Sequence, residues 1–329
     1  MQSFLKSCAW SCILAGALSP LGATAQPNKY PAKPVRIVVT FTPGGAADLT
    51  ARIVAEKLTE QWKEGVIVDN VTGAGGNVGA LAVNRAPADG YTLLLVSNTH
   101  AINRVLYPKT PIDISKDFEP VGMLSSSAIV IAANPKAKIN SLAGLVDRMG
   151  KEKGEMNYLT CGVATAHHFT MELIKEAVKQ NAVHIPQRGC GPAVVDAVAG
   201  QADVLVATMP AVLPFLKDGR LVSLAVTSKQ RSDSAKDIPT VAESGIPALK
   251  DFALENYYGL AAPAGTPREV LAKLETDVKA VVASPDLKTK FASAGLDVFY
   301  LDPAKSKELL KTDIERYRKA AQTAGIRPE

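Results

Sequence analysis

Short β-branched segments alternate with segments of helical periodicity along most of this chain of 329 residues. Residues 35–40 are rich in valine and isoleucine, run into the turn Thr42-Pro43-Gly44-Gly45, and precede apolar residues at helical spacing over 46–62. The same unit of strand, glycine loop and helix recurs along the chain, and helical segments close it. This alternation predicts an α/β fold in which mainly parallel sheets are covered by flanking helices.

The composition excludes several classes of function. Lysine and arginine exceed aspartate and glutamate by only 37 to 32, with no block of consecutive basic residues, so we predict no nucleic-acid partner. Four cysteines are too few for a disulfide scaffold, and no two CxxC pairs indicate structural zinc. We therefore expect a globular protein that carries no metal.

The first 25 residues have the pattern of a secretory signal peptide. Lys6 ends a short charged region, an apolar run follows over 8–18, and Ala23-Thr24-Ala25 supplies the small residues of a cleavage site. The apolar run is too short to span a bilayer. We therefore expect cleavage near Ala25 and export of a mature chain that begins at Gln26.

Glycine-rich loops precede several of the predicted helices. Residues 73–79 lie between a strand and a helix, but their spacing is not GxGxxG, so we predict no nucleotide cofactor. The loop over 42–45 also opens a helix, where unpaired N–H groups favour a carboxylate or a phosphate. Asp48, in the first turn of that helix, either stabilises the helix or contacts the ligand.

The two cysteines of the mature chain, Cys161 and Cys190, lie in two further loops that open helices. Cys161 with His167 or His168 would make a nucleophile and base, but no orienting acid or oxyanion motif accompanies them. After export, the two cysteines form either a disulfide or two buried thiols. Arg188 is either the partner of a carboxylate or a solvated surface charge.

A series of short sequence motifs runs along the mature chain. They are residues 30–39, Pro43-Gly44-Gly45 with Asp48 and Arg52, residues 73–79, 89–93 and 117–121, His168, Pro192-Ala193, and residues 219–221, 224–227, 238–245 and 259–267. In this order they resemble the Bug family, the periplasmic substrate-binding receptors of tripartite tricarboxylate transporters. The likeness extends over essentially the whole mature chain.

The resemblance implies a two-lobed type II periplasmic binding protein fold, with lobes that are joined by crossover strands and close on a small ligand. We expect the signal peptide at 1–25, lobe one at 26–127 and 259–329, and lobe two at 128–258. The resemblance also implies a location in the periplasm.

The resemblance further implies that backbone amides, hydroxyls and ordered water hold the carboxylates of the ligand. The implied ligand-binding residues are Thr42, Pro43, Gly44, Gly45, Asp48, Ser97, Thr99, Thr160, Gly162, Thr165, Gln187 and Tyr257. Thr42, Gln187 and Tyr257 stand where the family has proline, tyrosine and tryptophan. The ligand class therefore stays open among aliphatic di- and tricarboxylates, acidic amino acids and aromatic carboxylates.

We expect a monomeric solute receptor that delivers a small carboxylate to the membrane permease of a tripartite tricarboxylate transporter. The alternatives are a ligand sensor for a signalling partner and a secreted enzyme that acts on a small carboxylate. The sequence lacks a recognisable set of nucleophile, base and orienting acid but has several backbone anion sites, which favours a receptor over an enzyme.

Overall fold

The computed structural model describes residues 30–152, 155–323 and 325–326. The predicted signal peptide, residues 1–25, lies outside the described residues. Among the described helices, none combines the length and the apolar character that a membrane crossing requires.

Strands and helices alternate along the described chain. The strands are β1 Val35–Val39, β2 Val66–Asn70, β3 Thr92–Ser97, β4 Phe118–Ala133, β5 Asn157–Thr160, β6 Val183–Pro186, β7 Val204–Thr208, β8 Val222–Val226, β9 Glu255–Pro263 and β10 Asp297–Leu301. The helices are α1 Ala46–Trp62, α2 Asn77–Asn84, α3 Asn98–Leu106, α4 Leu142–Lys151, α5 Ala166–Val178, α6 Cys190–Ala199, α7 Met209–Lys217, α8 Arg268–Val282, α9 Pro285–Ser293 and α10 Pro303–Thr323. Each strand from β1 to β7 is followed by the helix of the same number.

The strands form two connected sets. In the first, β1 pairs in parallel with β2 and β3, and in the second, β5 pairs in parallel with β6 and β7. The long strand β4 connects them, because its first part pairs with β9 and its last part, Ile129–Ala133, pairs with β7 and β8. The pairings of β4 and β9 are antiparallel, so the sheets are mixed and the parallel order is limited to the strands on either side.

Clusters of buried apolar side chains hold these layers together, and two of them lie in the described part of the chain. The larger includes Phe118, Phe169 and Tyr317, and the rings of the last two meet edge to face with centroids 5.3 Å apart. The smaller packs Val130 of β4 and Leu205 of β7 against α6 and α7. The carboxyl ends of the parallel strands are thereby fixed, and ligands of open α/β sheets bind at such ends.

Candidate functional site

A cavity lies among the loops that open α1, α3, α5 and α6, and we call it the inner cavity. Its volume is about 20 Å³, so the walls lie close together in this structure. Its walls are Phe41, Thr42, Gly45, Ala46, Ala47, Ser97, Thr99, His167, Cys190, Thr208, Asn256 and Tyr258. None of these described wall residues is an acid, a lysine or an arginine, so polar contacts in the cavity come from neutral groups.

The start of α1 supplies backbone donors to the inner cavity. Gly45 is extended at the N-cap, no side chain of the described residues caps the helix, and the first intrahelical bond runs from the Leu49 N–H to the Gly45 carbonyl. The N–H groups of Ala46 and Ala47 in the first turn therefore have no partner within the helix. Since the helix dipole places partial positive charge at the same point, an anion is favoured there.

Asp48 holds the loop that precedes α1. Its carboxylate accepts hydrogen bonds from the Gly44 N–H at 3.1 Å, from Arg52 Nε at 3.0 Å and from Asn70 Nδ2 at 3.0 Å. Burial raises the pKa of Asp48, but these hydrogen bonds and the Arg52 charge outweigh it and lower the pKa below its ordinary value. The contacts support the role of helix stabiliser, and they also engage the Gly44 N–H that was expected to bind ligand.

His100 orients the start of α3. Its ring Nδ1 accepts a hydrogen bond from the Ser97 N–H at 3.1 Å, and Nε2 lies 3.5 Å from Thr40 Oγ1. Burial lowers the pKa of His100 to about 4, so the ring is neutral at physiological pH. This contact fixes Ser97 and Thr99 at the wall of the inner cavity.

The loop before α5 is held by its own hydroxyl groups. Thr165 Oγ1 donates to the Gly162 carbonyl at 2.8 Å, and Thr160 Oγ1 accepts from the Gly162 N–H at 3.2 Å. Thr160 Oγ1 also lies 2.7 Å from His184 Nε2, and the His184 ring stacks on His168 with centroids 4.1 Å apart. These contacts within the chain shape the loop, and ligand binding by Thr160, Gly162 and Thr165 stays a prediction.

His167 presents an unpaired buried nitrogen. Its side chain lines the inner cavity, and its Nε2 lies 3.1 Å from the amide nitrogen of Asn256. Because that amide nitrogen donates, Nε2 is the acceptor and the proton of the neutral ring is on Nδ1. Nδ1 has no hydrogen-bond partner within the described part of the chain. Burial lowers the pKa of His167 to about 3, which keeps the ring neutral.

Thr42 provides a second unpaired group. Its Oγ1 is buried and has no hydrogen-bond partner among residues 30–152, 155–323 and 325–326. Buried polar groups without partners are uncommon and costly, so a ligand atom or a bound water is expected beside each.

Cys161 and Cys190 are joined by a disulfide, with Cα atoms 4.3 Å apart. The sequence left open a disulfide or two buried thiols, and the structure contains the disulfide. The side-chain ligand atoms of Cys161, His167 and Cys190 lie within 4.8 Å of one another. Because both sulfurs are in the disulfide, neither is a thiolate that could bind a metal ion.

A larger space, here the outer cavity, has a volume of about 560 Å³ and has Cys161 of the disulfide on its wall. Its walls are Thr40, Phe41, Thr72, Gly73, Ala74, Gly75, Gly76, Tyr107, Cys161, Gly162, Val163, Thr165, Pro186, Gln187, Arg188 and Gly189. Arg188 is exposed and is the single charged residue among these described walls. Gln187, a predicted ligand-binding residue, lies here and not in the inner cavity.

Tyr257 lies in the core instead of the cleft. Its hydroxyl donates to Asp313 at 2.7 Å and its ring lies beside Phe299. Side chains alternate between the two faces of a strand, so the neighbouring Asn256 and Tyr258 point the other way and line the inner cavity. The structure therefore replaces Tyr257 with Tyr258 as the aromatic wall residue.

The predicted ligand-binding residues thus fall into three groups. Thr42, Gly45, Ser97 and Thr99 line the inner cavity. Gly162, Thr165 and Gln187 line the outer cavity. Neither set of walls includes Pro43, Gly44, Asp48, Thr160 and Tyr257.

Sequence and structure comparisons give one consistent result. Residues 50–326 match the model of the tripartite tricarboxylate transporter family receptor, TctC. BugT of Bordetella pertussis is 31% identical over 315 residues, which are 95% of this chain and 94% of BugT.

Two solved structures extend the comparison. A protein of R. palustris solved with adipate is 30% identical, has a TM-score of 0.87, and is matched over 91% of this chain and 100% of its own. MatC from Rhodopseudomonas palustris with bound malate is 26% identical, has a TM-score of 0.82, and is matched over 88% of this chain and 99% of its own.

Proposed function

Because this chain belongs to the tripartite tricarboxylate transporter receptor family and is a periplasmic solute-binding receptor, not an enzyme, we propose that its solute is a small carboxylate. The carboxylate binds among the walls of the inner cavity, which separate to admit it because the cavity volume is only about 20 Å³. The adipate and malate of the two R. palustris structures are both dicarboxylates, which supports the same class of ligand here.

The observation that carries this proposal is the set of unpaired donors around an uncharged cavity. The Ala46 and Ala47 N–H groups begin α1, and the Thr42 hydroxyl and the His167 Nδ1–H have no protein partner among the described residues. Hydrogen bonds from neutral groups to a carboxylate are stronger than bonds between neutral groups. In our proposal the carboxylate groups of the ligand accept hydrogen bonds from these donors.

Receptor action follows from the way in which this site is built. The loop before α1 belongs to one set of strands, and the first turns of α5 and α6 belong to the other. Both contribute walls of the inner cavity. A ligand that contacts both stabilises the arrangement in which they meet. In our proposal the permease of the transporter recognises this arrangement and accepts the carboxylate from it.

Thr42→Val tests the proposal, because valine keeps the shape of threonine and removes only the hydroxyl. We expect the affinity of residues 26–329 for its carboxylate to fall about tenfold or more, measured by titration calorimetry after a thermal-shift screen of mono-, di- and tricarboxylates. Thr276→Val is the matched control, since that hydroxyl is exposed on α8 and donates to the Ala272 carbonyl. Absence of binding by every carboxylate, or an unchanged affinity in Thr42→Val, would contradict the proposal.

A further inference from the structure

We propose that the Cys161–Cys190 disulfide is a specificity-determining wall that divides the cleft into the inner and outer cavities and limits the length of the ligand. This inference rests on the proposed function, since it concerns the same carboxylate site. It assigns the disulfide a role in ligand selection in addition to any role in stability.

The two half-cystines lie on the walls of different cavities. Cys190 lines the inner cavity and Cys161 lines the outer cavity, and the covalent bond joins them across the space between. Phe41 is the one described residue that lies on the walls of both cavities. The disulfide and the Phe41 ring therefore form the partition.

The partition is packed tightly in place. Cys161 is 4% exposed and Cys190 is 8% exposed. The Cys190 sulfur lies 3.9 Å from His167 Nε2 and 3.9 Å from Thr208 Oγ1, both on the inner wall. The Cys161 sulfur lies 3.9 Å from the Val206 carbonyl oxygen. Neither sulfur can move aside without displacing these neighbours.

The partition also faces the proposed carboxylate donors. A Cβ atom built on Gly45, at the start of α1, would lie 3.8 Å from the Cβ of Cys190. A ligand held by the first turn of α1 therefore lies next to the disulfide. A longer ligand has to pass the partition to reach the outer cavity, so a fixed wall favours short carboxylates.

The test is the affinity of residues 26–329 for malonate, succinate, glutarate and adipate, each longer than the last by one methylene. Cys161→Ala with Cys190→Ala removes both sulfurs, whereas Cys161→Ser with Cys190→Ser removes the bond but keeps an atom in each position. For the alanine pair we expect the ratio of adipate to succinate affinity to rise about tenfold, because two more methylenes become buried. The serine pair should change the ratio much less.

Phe41→Ala provides a variant that keeps the cross-link. It removes the ring that forms the other part of the partition, so the ratio of adipate to succinate affinity should rise as in the alanine pair. This variant tests the partition even if the alanine pair fails to fold. An unchanged ratio in Phe41→Ala or in a folded alanine pair overturns the role of the disulfide as a wall while the receptor function stands. Binding of other carboxylates but of none in this series also overturns it, and absence of binding by every carboxylate overturns the proposed function itself.

Discussion

At the scale of single residues, Asp48 is the group that organises the candidate site. A carboxylate beside an anion site would repel the ligand, but Arg52 lies 3.0 Å from Asp48 and neutralises it. The three hydrogen bonds to its oxygens turn the Gly44 N–H away from the cleft and leave those of Ala46 and Ala47 for the ligand. Asp48 therefore acts on the ligand through the backbone that it holds.

Asp48→Asn should lower both stability and affinity. The amide loses the charged hydrogen bonds from Arg52 and Gly44, so we expect the free energy of unfolding in urea to fall by about 1–3 kcal/mol. Asp218→Asn is the control, because its ion pair with Arg220 is exposed and contributes little. Equal stability of the two variants would show that Asp48 does not hold the loop.

Residue patterns predicted part of this site. The glycine loop over 42–45 and the likeness to the family indicated Thr42, Gly45, Ser97 and Thr99. All four line the inner cavity, and their role in ligand binding stays a prediction. Tyr257 was selected by likeness to a family position, whereas the period of a strand would have grouped Asn256 with Tyr258. Which of two neighbouring residues faces a cleft depends on the sheet partner, and the local sequence does not contain that information.

At the scale of elements, two loops from different strand sets come very close together. A Cβ on Gly189 would lie 1.9 Å from Thr42 Oγ1, and Gly189 has a φ of +135°, which side chains rarely adopt. Glycine at position 189 is therefore required for the loop before α6 to meet the loop before α1.

Gly189→Ala should separate these loops. Overpacking of this kind costs about 1–3 kcal/mol, so we expect the affinity for the carboxylate to fall about tenfold or more in calorimetry. Gly219→Ala is a matched control, because its φ is +69° and a Cβ there meets no atom within 4 Å. If the two variants bind ligand equally, close approach of the loops is not needed for binding.

Helix prediction was most accurate where a long apolar face marked the helix, and two helices without clear boundary signals were not predicted. The bounds of α1 were predicted as observed, since seventeen residues carry a continuous apolar face. α3 was missed because it begins directly after β3 without turn residues and is only nine residues long. α7 was missed because Pro214 lies inside it.

At the scale of the whole molecule, the fold class and the family membership predicted from ordered motifs are confirmed by the comparisons. The mixed character of the sheets arises from β4, whose sixteen residues serve both strand sets. Its strand partner changes next to Ala128, where the sequence placed a lobe boundary. The lobe ranges remain predictions.

Stability should fall as the pH falls, because buried histidines are neutral in the folded chain. Burial lowers the pKa of His100 to about 4 and that of His167 to about 3, and His184 shifts in the same direction. Between pH 6.5, the ordinary histidine value, and about 4, the unfolded chain binds more protons than the folded chain. His100 and His167 should each lower the free energy of unfolding by up to about 1.4 kcal/mol per pH unit in that window.

Urea unfolding at a series of pH values from neutral to acidic measures this effect. His100→Asn should reduce the slope of the free energy of unfolding against pH by the contribution of one proton. The substitution also weakens the start of α3. A free energy of unfolding that stays constant from neutral pH into the acidic window would mean that these rings are not buried as neutral groups.

The proposal that neutral donors of the inner cavity bind the ligand is tested most directly by a crystal structure of residues 26–329 with the carboxylate that gives the largest thermal shift. We predict carboxylate oxygens within hydrogen-bond distance of the Ala46 and Ala47 nitrogens, Thr42 Oγ1 and His167 Nδ1. A carboxylate bound instead to Arg188 in the outer cavity, with these four donors bonded only to water, would contradict the proposed binding site.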